Sequence, residues 1–135
     1  MNTNPLVESL PSDTKALELV SSLSSFGIGL SLVTGLTQLP EFMRLVHDLE
    51  FWWRLFVIVG CIQWLTIVFN QNTMMLRAVS SWVAGSFWIW VGTSFLSSYS
   101  DMSGILALVV GIGNLYAYSI NVLVGCIRKR TYGTP

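Results

Sequence analysis

Residues 51–69 read FWWRLFVIVGCIQWLTIVF, and within this apolar run only Arg54, Gln63 and Thr66 are polar. A helix of that length measures about 28 Å at ~1.5 Å per residue. The hydrocarbon layer of a bilayer is close to this, at ~30 Å. The run therefore predicts a transmembrane helix, and its neighbours have to be judged with lipid as their solvent.

The composition of the whole chain also favours a membrane protein. Of its 135 residues, 53% are hydrophobic and only 10% are charged, whereas soluble domains carry about 25% charged residues. The length suits one bundle and leaves no room for a separate soluble enzyme domain. Because the net charge is zero and no large basic block occurs, nucleic acid is excluded as a partner.

The apolar pattern predicts an all-α polytopic transmembrane bundle with about four spans, in one domain over residues 14–127. Residues 1–13 hold two prolines and little periodicity, which predicts an N-terminal tail with a helix N-cap at Ser12 or Asp13. Residues 128–135 begin with RKR and predict a basic cytoplasmic tail. The predicted spans are residues 16–39, 51–69, 74–96 and 104–127, with caps at Asn72 or Thr73 and at Asp101 before the last two.

Residues 40–50 form an amphipathic run that leads into the second span without a breaker. We expect residues 40–69 to be one long or gently bent helix, with its first turns at the membrane interface. Trp52 and Trp53 are expected to mark the headgroup level, where aromatic belts lie. Arg54 is expected to extend toward water and to pair with Glu50, four residues before it.

Small residues recur every four positions along the first predicted span. Such patterns allow close approach of helices in lipid, which predicts a helix that packs against others. Its serines weaken insertion, so a helix lying on the membrane surface, with three spans in total, remains the alternative. The two lines of small residues are Ser21, Ser25 and Gly29, and next to them Gly27, Ser31 and Gly35.

Polar residues on the fourth predicted span share one helical face. Asn114, Tyr118 and Asn121 lie at positions i, i+4 and i+7. Polar groups at membrane depth are costly unless they are paired or face a cavity. This stripe is therefore expected to contact another helix or to line a pore.

The basic residues predict the orientation, because short loops rich in Lys and Arg stay in the cytoplasm. With four spans both termini lie inside. The inner side then holds five basic residues and the outer side holds two, Arg44 and Arg54. The expected location is a bacterial inner membrane or a host cell membrane. The inner residues are Lys15, Arg77, Arg128, Lys129 and Arg130.

Motifs for catalysis do not occur in the sequence. There is no nucleotide-binding loop, HExxH motif or Ser, His and Asp set. Cys61 and Cys126 have no CxxC spacing. We therefore expect a non-enzymatic protein without metal or cofactor.

The layout of the chain resembles that of phage holins and related small phage membrane proteins. The likeness lies in the Ser- and Gly-rich residues 16–39, several spans within 135 residues and the basic RKR tail. It implies a homo-oligomer that permeabilises or traverses the membrane, with the lipid bilayer and other copies as partners. An accessory subunit that docks to a larger membrane complex through Trp82, Trp88 and Trp90 is an alternative.

Glu18, in the segment ALELVSS, resembles the first-helix carboxylate of small four-span exporters of the drug-resistance type. That resemblance implies a proton-coupled exporter as the second alternative. Glu18 also lies about one turn after the predicted helix start, where a carboxylate complements the helix dipole.

Overall fold

A computed structural model describes residues 5–69, 74–99 and 102–132 of the chain. These residues form five helices, and no strand occurs within those ranges. The prediction of an all-α protein is confirmed. The helices are α1 (Pro5–Val33), α2 (Glu41–Val46), α3 (Leu49–Phe69), α4 (Met74–Tyr99) and α5 (Met102–Tyr132).

Three of the described helical segments are long and apolar enough to cross a membrane. They are Thr14–Val33, Leu49–Phe69 and Met102–Arg130. α4 has 26 residues, but it is more polar because it carries Arg77 together with several serines and tryptophans. The fold is thus that of a helical membrane protein with three candidate spans.

The long helices pack with alternating direction. α1 and α3 are antiparallel, since the Ser22 hydroxyl donates to the Gly60 carbonyl while Gly29 lies against Val57. α4 and α5 are also antiparallel, since Gly92 lies against Leu108 while Gly85, earlier on α4, lies against Leu115, later on α5. α1 runs parallel to α4, because Thr14 contacts Arg77 while Glu18, one turn later on α1, contacts Ser81, one turn later on α4. The result is an up-down-up-down bundle.

Two glycine pairs bring α4 and α5 into backbone contact. Gly85 and Gly92 on α4, like Gly104 and Gly111 on α5, are seven residues apart and so lie on one helical face. A Cβ at Gly92 would lie 2.9 Å from the Leu108 backbone nitrogen. A methyl group at these positions would therefore force the two helices apart.

α1 ends at Val33, and the expectation that the first span reaches residue 39 is wrong. The reason is Gly35, whose φ of +74° is the left-handed conformation favoured by glycine. The Leu36 N–H donates to the Ser31 carbonyl at 2.9 Å and the Gly35 N–H donates to Leu32 at 3.3 Å. These two bonds form a Schellman motif, which terminates the helix.

The expected continuous helix over residues 40–69 is also wrong, because the chain breaks between α2 and α3. His47 is extended, with φ −154° and ψ 165°, and the Asp48 carboxylate accepts the Phe51 N–H at 3.1 Å. The Trp52 indole donates to the carbonyls of Met43 at 2.8 Å and His47 at 3.2 Å. α2 is thereby held over the end of the bundle, with Met43 buried.

Two helix ends extend beyond the predicted limits. α1 begins at Pro5, so residues 5–13 are helical rather than a tail and neither Ser12 nor Asp13 is an N-cap. Pro5 stands in the first turn, where proline is accepted. α5 continues to Tyr132 and includes the RKR segment predicted as tail, because no breaker intervenes and basic groups suit a helix C-terminus. The caps predicted at Asn72 or Thr73 and at Asp101 lie outside the described residues.

Candidate functional site

An ion pair between Glu18 and Arg77 lies inside the bundle. Each side chain is 1% exposed. The Arg77 Nε and Nη2 atoms donate to Glu18 Oε2 at 3.0 and 2.8 Å. Because α1 begins at Pro5, Glu18 lies about three and a half turns into the helix. The helix dipole at the N-terminus falls off within the first turn, so it does not account for this carboxylate.

The second carboxylate oxygen of Glu18 is also bound. Oε1 accepts from the Ser81 hydroxyl at 3.0 Å and from Asn121 Nδ2 at 2.8 Å. The Thr14 hydroxyl lies 3.3 Å from both Arg77 Nη2 and Asn121 Oδ1. Side chains of α1, α4 and α5 thus converge on one carboxylate.

A second polar cluster lies about one turn further into the bundle. The Ser21 hydroxyl donates to Gln63 Oε1 at 2.7 Å, and Gln63 Nε2 donates to Asn114 Oδ1 at 2.8 Å. Thr66 and Ser80 connect α3 and α4 through hydroxyls 3.1 Å apart. All of these residues are buried, and together with the Glu18 cluster they form what we call the polar network.

Burial of the ion pair requires all of these partners. Removing a charge from water costs several kcal/mol per ion, which is recovered only when geometry is good and the remaining polar atoms are hydrogen-bonded. Lipid offers no water as a substitute partner. The polar network therefore joins α1, α3, α4 and α5 by specific side-chain hydrogen bonds.

The half of the bundle next to α2 is apolar instead. Leu32, Phe56, Trp88 and Val91 are each buried to 2% exposure or less. Phe56 packs edge-on against Trp88, with ring centroids 5.8 Å apart. The interior of the bundle is thus polar in one half of its length and apolar in the other.

The structure separates the two lines of small residues on α1. Ser21, Ser25 and Gly29 are buried, and a Cβ at Gly29 would lie 3.2 Å from Val57 Cγ2. Gly27 is exposed, and a Cβ there would meet nothing within 4 Å. Ser31 is half-buried, and Gly35 lies beyond the helix end. Within one chain, the line that begins at Ser21 contacts α3. The line that begins at Gly27 is directed outward at that glycine.

The polar stripe of α5 is used within the same chain. Asn114 and Asn121 are 0% and 1% exposed and bind Gln63 and Glu18, respectively. Tyr118, between them, is half-buried. In this arrangement the two amides contact neighbouring helices rather than line a pore.

The expected interface anchors take different positions. Trp52 is only 4% exposed because its indole holds α2, so it is not available to the headgroup region. Trp53 is half-buried, and Arg54 lies over its ring at 5.6 Å from the centroid. The predicted ion pair between Glu50 and Arg54 is confirmed. On α5, Arg128, Lys129 and Arg130 are exposed.

The tryptophans of α4 do not form a common surface. Trp82 is exposed, whereas Trp88 is 1% exposed and Trp90 stacks on Trp52 with centroids 5.1 Å apart. The three rings therefore do not form the joint docking surface that the accessory-subunit alternative expected, because Trp88 is buried and Trp90 packs against Trp52. The accessory-subunit alternative itself stays a prediction.

Arg77 and Gln63 are members of the network that the sequence did not assign. Arg77 was expected near the inner membrane surface because it lies close to the start of a span. The sequence does hold a signal for the pairing of Arg77 with Glu18, since opposite charges inside apolar segments are expected to pair. In the described part of the chain, no group of three or more His, Cys, Asp or Glu residues could hold a metal ion.

Neither a known family model, nor a curated protein, nor a solved structure matches this chain.

Proposed function

We propose that the protein is a four-span integral membrane protein that works as a small proton-coupled carrier, with Glu18 as the coupling carboxylate. The observation that supports this most is the buried pair of Glu18 and Arg77 at the centre of the polar network. Ionisable groups at membrane depth are rare and mark pathways for ions, protons or substrates.

The packing of α4 supports a fourth span. It lies antiparallel to α5 along its length, and its 26 residues would extend about 39 Å. Arg77 and Ser81 are buried, whereas Val79, Trp82 and Val83 are exposed. The polar residues that lower its mean hydropathy are thus partly hidden from lipid. Four spans would place both termini on one side, together with the basic end of α5.

The hydrogen bonds suggest how a proton could be coupled to movement. Ionised Glu18 accepts bonds from Arg77, Ser81 and Asn121, and so holds α1 against α4 and α5. Protonation removes the charge that binds the guanidinium and turns one acceptor into a donor. A proton or a cationic solute would therefore compete with Arg77 for the carboxylate and release α1 from its neighbours.

The apolar half of the bundle favours a carrier over an open channel. Phe56, Trp88 and Val91 fill the axis beyond the polar network, and an ion could not cross that region without losing its hydration. Access to Glu18 from the other side of the membrane would then require the helices to rearrange. Such a change is the defining step of a carrier.

Proteoliposomes test the proposal. The full chain would be reconstituted under an imposed pH gradient, with a pH-sensitive dye inside and ethidium as the cationic probe. We expect coupled movement of protons and ethidium in wild-type vesicles, and we expect Glu18→Gln to abolish it. Glu41 is an exposed carboxylate outside the network, so Glu41→Gln should leave the movement unchanged. Wild-type vesicles without coupled movement, or a Glu18→Gln variant with full activity, would refute the carrier.

A membrane-permeabilising oligomer is the second candidate, favoured by the outward position of Gly27. Open space surrounds this glycine on the lipid-facing side of α1, where a second copy could approach closely. Gly27→Leu would then reduce both crosslinked oligomers and dye leakage from vesicles, while Leu23→Ile on the same exposed face would not. Assembly and leakage unaffected by Gly27→Leu would rule this candidate out.

A further inference from the structure

A groove of about 330 Å³ opens beside the break between α2 and α3. One part of its lining is charged or polar and the other is apolar. The polar part consists of His47, Asp48, Glu50 and Arg54, and the apolar part includes Leu55 and Ile58.

The two parts follow one another along α3 in the direction of the membrane. Asp48 precedes the candidate span Leu49–Phe69, and Glu50 and Arg54 lie in its first two turns. Leu55 and Ile58 come next, and Ile58 is 52% exposed. The groove thus places charges at headgroup level and apolar surface at the level of the acyl chains.

The charges of the groove fit a zwitterionic headgroup with an ammonium group. Two carboxylates, Asp48 and Glu50, stand against the single guanidinium of Arg54, so a negative charge remains. A guanidinium carries five N–H donors, and the ion pair of Arg54 with Glu50 uses its Nη2 atom. Arg54 therefore keeps donors for a phosphate, while the carboxylates can accept from an ammonium.

We infer that this groove binds phosphatidylethanolamine. The ammonium group is accepted by Asp48 and Glu50, the phosphate by Arg54, and an acyl chain lies along Leu55 and Ile58. Ethanolamine is preferred over choline because its ammonium has three N–H donors and a quaternary choline has none. This inference depends on residence in a membrane and not on carrier activity.

Lipid binding to the purified full chain tests the inference. Native mass spectrometry in detergent would compare phosphatidylethanolamine, phosphatidylcholine and phosphatidylglycerol with identical acyl chains. We expect phosphatidylethanolamine to bind on the order of tenfold more tightly than phosphatidylcholine, as one additional charge-assisted hydrogen bond provides. Equal binding of these two lipids, or tighter binding of phosphatidylglycerol to the wild type, would overturn the inference.

A charge-changing variant sharpens the test. Asp48→Asn combined with Glu50→Gln leaves Arg54 unopposed, and asparagine keeps the side-chain oxygen that caps α3. We expect this variant to lose the ethanolamine preference and to bind phosphatidylglycerol most tightly. Glu41→Gln removes one negative charge outside the groove and should keep the wild-type order. An ethanolamine preference retained in the double variant would contradict the inference.

Discussion

Glu18 and Arg77 depend on each other, because either one alone would be a buried charge without a counter-ion. We predict that Glu18→Leu or Arg77→Met alone lowers the free energy of unfolding by about 3–5 kcal/mol. The double variant should lose less free energy of unfolding than the two single losses added together. The difference, which is the coupling energy between the two side chains, should be about 1–3 kcal/mol. Unfolding of the three variants in mixed detergent micelles measures this cycle.

The exposed pair of Glu50 and Arg54 is the matched control for that cycle. Their side chains are 61% and 59% exposed, and ion pairs of this kind contribute about 0.3–0.5 kcal/mol. A cycle of Glu50→Leu and Arg54→Met should therefore give a much smaller coupling. Additive losses at Glu18 and Arg77 would show that the buried pair is not coupled in the folded protein.

Close contact between α4 and α5 depends on glycines without room for a methyl group. We predict that Gly92→Ala or Gly111→Ala lowers the free energy of unfolding by about 1–3 kcal/mol, as overpacking does. At Gly111 a Cβ would lie 2.9 Å from the Ile89 backbone nitrogen. The measurement is the midpoint of thermal unfolding in detergent, followed by circular dichroism.

Gly125 provides the comparison on the same helix. A Cβ there would lie 3.6 Å from Met74 Cβ, an ordinary contact, so Gly125→Ala should be neutral or stabilising because alanine has the higher helix propensity. If Gly92→Ala and Gly125→Ala had equal effects, backbone contact between α4 and α5 would not determine stability.

The repeat of apolar residues in the sequence located the helices well but did not reveal the break between α2 and α3. The predicted spans at residues 51–69 and 74–96 fall close to α3 and α4. The break at His47 was missed because the amphipathic pattern continues through it. The break depends instead on Trp52, whose indole binds a carbonyl nine residues earlier. A side-chain bond of that kind leaves no periodic signal.

The site was predictable in part. The stripe of Asn114 and Asn121 was expected to need partners, since buried amides must be hydrogen-bonded. Which partners they have follows from tertiary packing, because Gln63 and Glu18 lie 51 and 103 residues away in the chain. Arg77 was assigned to the membrane surface for the same reason, as its partner lies 59 residues earlier.

In the described part of the chain, several charged and polar side chains lie inside the bundle while many large apolar side chains are exposed, unlike the distribution in a soluble protein. Glu18, Arg77 and Gln63 are buried, whereas Leu30, Ile112 and Val109 are each at least 60% exposed. Soluble monomers rarely expose apolar surface over more than a few hundred Å². This distribution explains why composition alone indicated the membrane.

A four-span bundle makes a definite prediction for the side on which each helix ends. In a variant with both cysteines replaced by serine, Ser98→Cys near the end of α4 should react with a membrane-impermeant maleimide from outside intact cells. Lys129→Cys near the end of α5 should react only after permeabilisation, because basic segments stay in the cytoplasm. Leu45→Cys on α2, which is 85% exposed, should react as Ser98→Cys does.

If α4 did not cross the membrane, Ser98→Cys and Leu45→Cys would lie on opposite sides of it. The carrier proposal would then lose the fourth spanning helix that its ion pair requires.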